Sequence, residues 1–140
     1  MRELMIRPIV RDTFFLAQKS QETTKEDLPD VMNLAETFMA NRGTCVGMAA
    51  NMIGVKKRFI VVEFMNQPLI MINPKITSKK DRYETEEGCL SLSGMRKAVR
   101  FRTITVSYQD TQFQKHSQTF TGFTAQIIQH EIDHCDGIVI

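Results

Sequence analysis

The chain has 140 residues, 42% of them hydrophobic and 24% charged, and this length and balance predict one soluble domain spanning residues 1–140. A formal charge of +2 with no Lys/Arg stripe argues against a nucleic-acid binder. The lack of any apolar run near the roughly 18–20 residues of a membrane span, or of a signal-peptide core, argues against membrane insertion and export. Three cysteines at irregular spacing make no disulfide framework, so a reducing cytoplasm is the expected location, where a thiol stays free to bind metal.

Residues 1–22 read as irregular or extended, with the Phe14-Phe15-Leu16 patch expected to cover core. Helix-start signals follow: Thr23 with Glu26 three residues on, then Asp27 before Leu28 and Pro29. Leu28, Val31, Met32, Ala35, Phe38 and Met39 recur at helical spacing, which predicts a core-facing helix over 28–41, closed by the stretch Asn41 to Gly43. Strand-like runs come next: Arg58 to Phe64, Leu69 to Ile72, Thr103 to Tyr108 and a shorter one at Gln118 to Thr121. A last helix is expected after Thr121, with Ala125, Ile128, Ile132 and Cys135 on its apolar side and Gly137 ending it. Helix, strands, helix is an α+β order, with small antiparallel or mixed sheets packed around the C-terminal helix.

That last helix carries His130-Glu131-Ile132-Asp133-His134, two of the chain's three histidines in a His-Glu-x-x-His pattern. Positions i and i+4 share a helix face, so both imidazoles can converge on one ion while Glu131 reaches a water beside it. The same pattern also fits a polar last turn of a surface helix. A catalytic two-histidine site needs a third protein ligand, and past His134 only Asp136 remains among the usual oxygen donors. Upstream, Cys89 lies in the polar, glycine-containing segment Glu86-Glu87-Gly88-Cys89-Leu90-Ser91; it reads either as a cleft-facing thiolate or as a buried small hydrophobe. Cys45 and Cys135 read as the latter. His116, between Lys115 and Ser117, reads as solvated, and Glu87 as a partner for Arg100 or Arg102 that braces the cysteine loop.

Three ordered segments carry a resemblance: Gly43 to Gly54, Glu87-Gly88-Cys89-Leu90-Ser91, and Gln129-His130-Glu131-Ile132-Asp133-His134. Together they resemble the three motifs of peptide deformylases, which remove the N-terminal formyl group from new bacterial polypeptides. Ile72-Asn73-Pro74 and Arg96 also fall where that family has similar residues. The resemblance implies one divalent ion, commonly ferrous iron, held by Cys89, His130 and His134; zinc, nickel and cobalt accept the same mixed N/S ligation. It implies Glu131 as general base and acid, the backbone N–H of Leu90 as an oxyanion donor, and Gly47 as the place where substrate backbone approaches closely. Arg96 would orient substrate. The implied substrates are N-formylmethionyl peptides and nascent chains, in proximity to the ribosome.

The departure is at Met52, which stands where the family has a glutamine that donates to the oxyanion; a thioether cannot donate. Losing one such donor typically costs about 10²–10³ in rate. Asn51 carries a carboxamide, but one residue off, where a strand would turn it to the opposite face. Cys45 replaces a motif glycine, and the sequence ends at Ile140, short of a C-terminal helix that many relatives carry. The expected activity is therefore deformylation, reduced by Met52. The competing expectation is a deformylase-like metal-binding protein with a regulatory role or another N-acyl substrate.

Overall fold

The computed structural model describes residues 6–138; expectations touching 1–5 and 139–140 lie outside the described residues. In chain order the elements are a short helix α1 (Thr13–Leu16), a 3-10 turn (Lys25–Asp27), helix α2 (Leu28–Ala40), strand β1 (Gly47–Ala49) and a second 3-10 turn (Ala50–Ile53). Strands β2 (Phe59–Phe64), β3 (Gln67–Cys89), β4 (Leu92–Gln109) and β5 (Lys115–Thr121) follow, then helix α3 (Gly122–Cys135). The α+β class is as expected, but the small or mixed sheets resolve into one. The five strands form a single sheet in the order β1-β2-β3-β4-β5, each neighbour antiparallel. Among the described residues the isolated parallel contact is a lone bridge, Gln21 to Lys57. Sequential strands joined by tight reversals build such a meander without crossovers.

Strands β3 and β4 are far longer than the alternating runs predicted. Their middle parts, Lys79 to Glu86 against Lys97 to Thr103, form a ribbon with mostly exposed β3 residues, so no face needs an apolar period. Register shifts between Ile72 and Lys75, Ile76 and Ser78, and Glu87 and Cys89 break the period further. Asn73, at φ 51°, turns the chain at the first shift; its side chain accepts from Thr23 N at 2.8 Å and donates to Thr23 O at 3.0 Å. That locks the loop before α2 onto the sheet.

Helix α2 begins at Leu28, as expected, but the capping pair belongs to the 3-10 turn before it and lies one residue later than the sequence suggested. Asp27 accepts from the Thr24 N–H at 2.8 Å, while Thr23 is buried and donates to Arg58 O. The buried face is Val31, Leu34 and Phe38, with Asn33 and Thr37 also buried, so the apolar stripe is rotated by about one residue from the expected one and Met39 is 44% exposed. Thr37 is accommodated because its hydroxyl donates to Asn33 O and accepts from Arg7 N. The patch at 14–16 is also corrected: Leu16 is fully buried, but Phe14 is 79% exposed. Phe38, Met48, Phe59, Met71, Ile104 and Ile128 form the centre of the core, between α2, the sheet and α3. Helix α3 touches β1, β2, β4 and β5, and every residue from Ile127 to Ile132 is buried.

Candidate metal centre and active site

A helix buried on nearly all sides should be apolar, yet α3 buries Gln129, His130, Glu131 and His134. Polar groups pay for burial only when something meets them, so the partners identify the site. Gln129 is a clamp: its amide donates to Phe101 O and Ala125 O, and its carbonyl accepts from Phe101 N at 2.8 Å. This pins α3 to β4. Further along, Asn51 donates to His134 O at 2.9 Å and to Leu16 O. Two carboxamides thus hold the C-terminal half of α3, and the two histidines there have little freedom.

Their rings lie 5.1 Å apart between centroids. The Cys89 sulfur, at the end of β3, comes to 3.3 Å from His134 Nε2. One ligand atom each from Cys89, His130 and His134 all lie within 4.8 Å of one another, a spacing suited to one shared cation. His130 Nδ1 meets Glu87 Oε1 at 2.8 Å, which leaves Nε2 for the cluster.

The electrostatics ask for a positive charge there. Burial works to lower the His130 pKa, yet its hydrogen bonds to Cys89 and Glu87 and the charge of Glu131 carry it up to about 10. A proton is thus held where a cation fits. Burial, with the charges of His130 and Arg100, pushes His134 down to about 3, so it is a neutral imidazole, the form that ligates. A soft thiol and two imidazoles are the donors that iron, zinc, nickel or cobalt accept.

Behind the Cys89, His130 and His134 cluster stands a second tier. Burial would raise Glu87, but bonds from His130, Arg100 and Gln126 hold it at about 2. Arg100 donates Nε and Nη2 to its two oxygens at 2.9 and 2.6 Å, and Gln126 adds a bond at 2.8 Å. Arg100 Nη1 then reaches Asp133 at 2.7 Å, back on α3. Of the two arginines proposed for Glu87, Arg100 is the partner; Arg102 lies over the Tyr83 ring at 4.6 Å. Gln126 and Asp133 were missed in the sequence. Asp133 sits three residues after His130, on the same helix flank, which is the signal that was available.

A cleft of about 720 Å³ opens beside this cluster, lined by Cys89, His130 and Glu131 and by the apolar Val46, Leu90 and Ile127. Glu131 is 5% exposed, and its Oε1 has no hydrogen-bond partner among the described residues. Burial lifts its pKa to about 7, into the range of a working base. Gly47 also lines the cleft, and a Cβ there would stand 2.7 Å from Ile127 Cγ2 and 3.0 Å from Glu131 Oε2. The glycine keeps the space in front of the carboxylate open.

Other sequence candidates fall elsewhere. Met52 is 1% exposed and does not line the cleft; its sulfur accepts from the Ala49 N–H at 3.3 Å. Asn51 sits in a 3-10 turn rather than a strand, and its carboxamide is spent on α3. Arg96 donates to Ser93 O and does not line the cleft. Cys135 is buried, as expected, whereas Cys45 is half-buried and lines the cleft. His116 is exposed but not merely solvated: it bonds Asp110 at 2.8 Å and stacks on Tyr108.

A Cys/His/His cluster with an unpaired carboxylate on the next residue, at the end of a substrate-sized cleft, is the equipment of a mononuclear metallohydrolase. Residues 6–140 match the family described as polypeptide deformylase. The chain is 57% identical over 136 residues to a peptide deformylase of Clostridium beijerinckii, covering 97% of this chain and all of that protein. One from Desulforudis audaxviator is 40% identical over 135 residues, 94% of this chain and 84% of that protein. The crystal structure of peptide deformylase from Thermotoga maritima superposes with a TM-score of 0.85 at 31% identity, covering 98% of this chain and 95% of that one. A Met-Ala-Ser-bound peptide deformylase from Acinetobacter baumannii gives 0.83 at 27% identity, with 96% of both chains covered. The chain belongs to the polypeptide deformylase family.

Proposed function

We propose that this protein hydrolyses the N-formyl group from the N-terminal formylmethionine of new polypeptides in the cytoplasm, with one divalent ion held by Cys89, His130 and His134. The observation that carries the reading is the convergence of those three side chains next to the buried Glu131, whose Oε1 has no hydrogen-bond partner among the described residues. When bound, a divalent ion there lowers the pKa of water toward ~7 and offsets charge developing on the formyl oxygen. Ferrous iron is the proposed native ion.

Glu131 takes a proton from the attacking water as that oxygen adds to the formyl carbon, then passes it to the departing amine nitrogen. The C–N bond breaks, and formate and a free N-terminal amine leave. Leu90 N–H donates to the oxyanion, and Gly47 lets the peptide backbone lie close to Glu131. The apolar lining from Val46, Leu90 and Ile127 suits the methionine side chain, which at the cleft exchanges water for hydrocarbon. The Met-Ala-Ser peptide bound by the Acinetobacter relative supports an N-terminal Met peptide as ligand.

Purified, metal-replete protein handled without oxygen should release formate from formyl-Met peptides. Glu131→Ala should retain one ion per chain and lose about 10²–10⁴ in kcat. Equal turnover by the two proteins ends the reading.

Met52 supports a second reading, a metal-binding relative with a regulatory role or a different N-acyl substrate, because its side chain packs onto Ala49 N–H and brings no donor to the cleft. Met52→Gln separates them. A gain of about 10²–10³ in kcat shows that an oxyanion donor was the missing part of a deformylase. No gain, together with little activity in the parent, favours the second reading.

A further inference from the structure

We propose that Arg11 is a positioning residue for the turn that carries the oxyanion donor, and that it offsets part of what Met52 fails to supply. The inference rests on the reading of Leu90 N–H as that donor. Leu90 and Ser91 form a two-residue connection between β3 and β4, closed by the Cys89–Leu92 pair. Both keep negative φ, so the turn is neither of the mirror-image types whose twist matches a hairpin. The register shift at Glu87/Cys89 lies directly beside it. The Ser91 hydroxyl is buried without a partner among the described residues and does not brace it. A connection of this kind needs an external hold.

Arg11 supplies one. Its Nη1 donates to Leu90 O at 3.2 Å from 79 positions earlier in the sequence. The segment that carries Arg11 is itself anchored: Val10 N donates to Met52 O at 2.8 Å, Leu16 is fully buried, and Ser20 N donates to Cys135 O. The N-terminal strap therefore ties the Met52 turn, the Leu90 turn and the end of α3 together. The Leu90 carbonyl shares its peptide plane with Ser91 N–H, and in a two-residue turn closed by the Cys89–Leu92 pair that plane restricts the preceding one, which aims Leu90 N–H into the cleft. Because Met52 brings no donor to the cleft, this N–H carries more of the oxyanion than it would beside a second donor.

Arg11 is exposed, so its replacement should leave the melting temperature of the metal-loaded protein within about 2 °C. With formyl-Met peptides, Arg11→Ala should lower kcat about tenfold with KM within about twofold, and Arg11→Lys should recover most of the loss. In a Met52→Gln background the same Arg11→Ala change should cost less than about threefold, since a second donor shares the load. A kcat within about twofold of the parent, an equal loss in both backgrounds, or a loss that falls on KM overturns the proposal. Should the parent protein show no turnover, it is the deformylase reading that fails. Amide exchange at Ser91 and Leu92 in the zinc-loaded protein then decides the positioning: about tenfold faster in Arg11→Ala supports it, and unchanged exchange refutes it.

Discussion

The two walls of the cleft are built on opposite terms. On the wall of β3 and α3, charge is met by charge: Glu87 takes bonds from Arg100, Gln126 and His130, and Arg100 returns to Asp133. On the wall of β1 and the following 3-10 turn, the side chains face away: Asn51 holds the end of α3, and Met52 folds its sulfur onto Ala49 N. What that wall offers the cleft is backbone and the gap at Gly47. One wall is specified by paired polar groups whose loss leaves buried charge unmet. The other is specified by shape, and Met52 on it makes no hydrogen bond to the Cys89, His130 and His134 cluster.

The largest way to break the first wall is to remove one of the proposed ligands. Cys89→Ala should abolish metal retention through a desalting column and with it turnover, because two imidazoles alone bind far more weakly than three donors. Elemental analysis beside the peptide assay checks this. A Cys89→Ala protein with one tightly held ion per chain would place the centre elsewhere.

Next in size is the tier behind it. Glu87→Ala leaves Arg100, 4% exposed, without its main counter-charge, and should cost about 3–5 kcal/mol in denaturant unfolding of the metal-free protein. Metal affinity should fall about 10–100-fold as well, since His130 loses the group that orients its ring. A loss below about 1 kcal/mol would mean that the pair is more solvated than its geometry shows.

How much of this was legible from sequence follows the same division. The clustering of Cys89, His130 and His134, with Glu131 beside them, was readable because helical spacing and the ordered segments around Cys89 are local signals. Glu87 with Arg100 was half readable: the two lie thirteen residues apart, and the strand register sets Arg96 opposite Glu87, so tertiary packing and not register selects Arg100. Gln126 and the Arg11 contact depend on tertiary approach over 39 and 79 positions, which no local pattern carries. The long strands were truncated because solvent covers the middle of β3, the buried positions of β4 opposite it include Arg100, and bulges break the alternation. The α2 stripe was misplaced by one position because Asn33 and Thr37 are buried polar residues whose backbone bonds are invisible to a hydrophobicity pattern.

The second wall is sharpened by filling its gap. Gly47→Ala brings a methyl within 2.7 Å of Ile127 Cγ2 and 3.0 Å of Glu131 Oε2, so something must move. Overpacking of this kind costs about 1–3 kcal/mol, and peptide binding should suffer more than metal content. A raised KM at unchanged metal stoichiometry is the expected pattern. Unchanged KM would mean that substrate does not pass over Gly47.

The smallest effect is one of pH, and it separates the walls without touching the cleft. Glu87 titrates at about 2 in the folded protein, below its ordinary value of 4.5. A depressed carboxylate adds stability that is complete above the unfolded value and is lost as pH falls toward the folded one. The stability gap between the parent protein and Glu87→Gln, both metal-free, should therefore stay constant from pH 7 to about 5 and narrow below about 4.5. Gly47→Ala, whose cost is steric, should show a gap that does not follow that titration. If the Glu87→Gln gap closed already between pH 7 and 6, its source would be a group that titrates near neutrality, such as Glu131 at about 7, and the first wall would owe its strength to the cleft and not to the Arg100 pair.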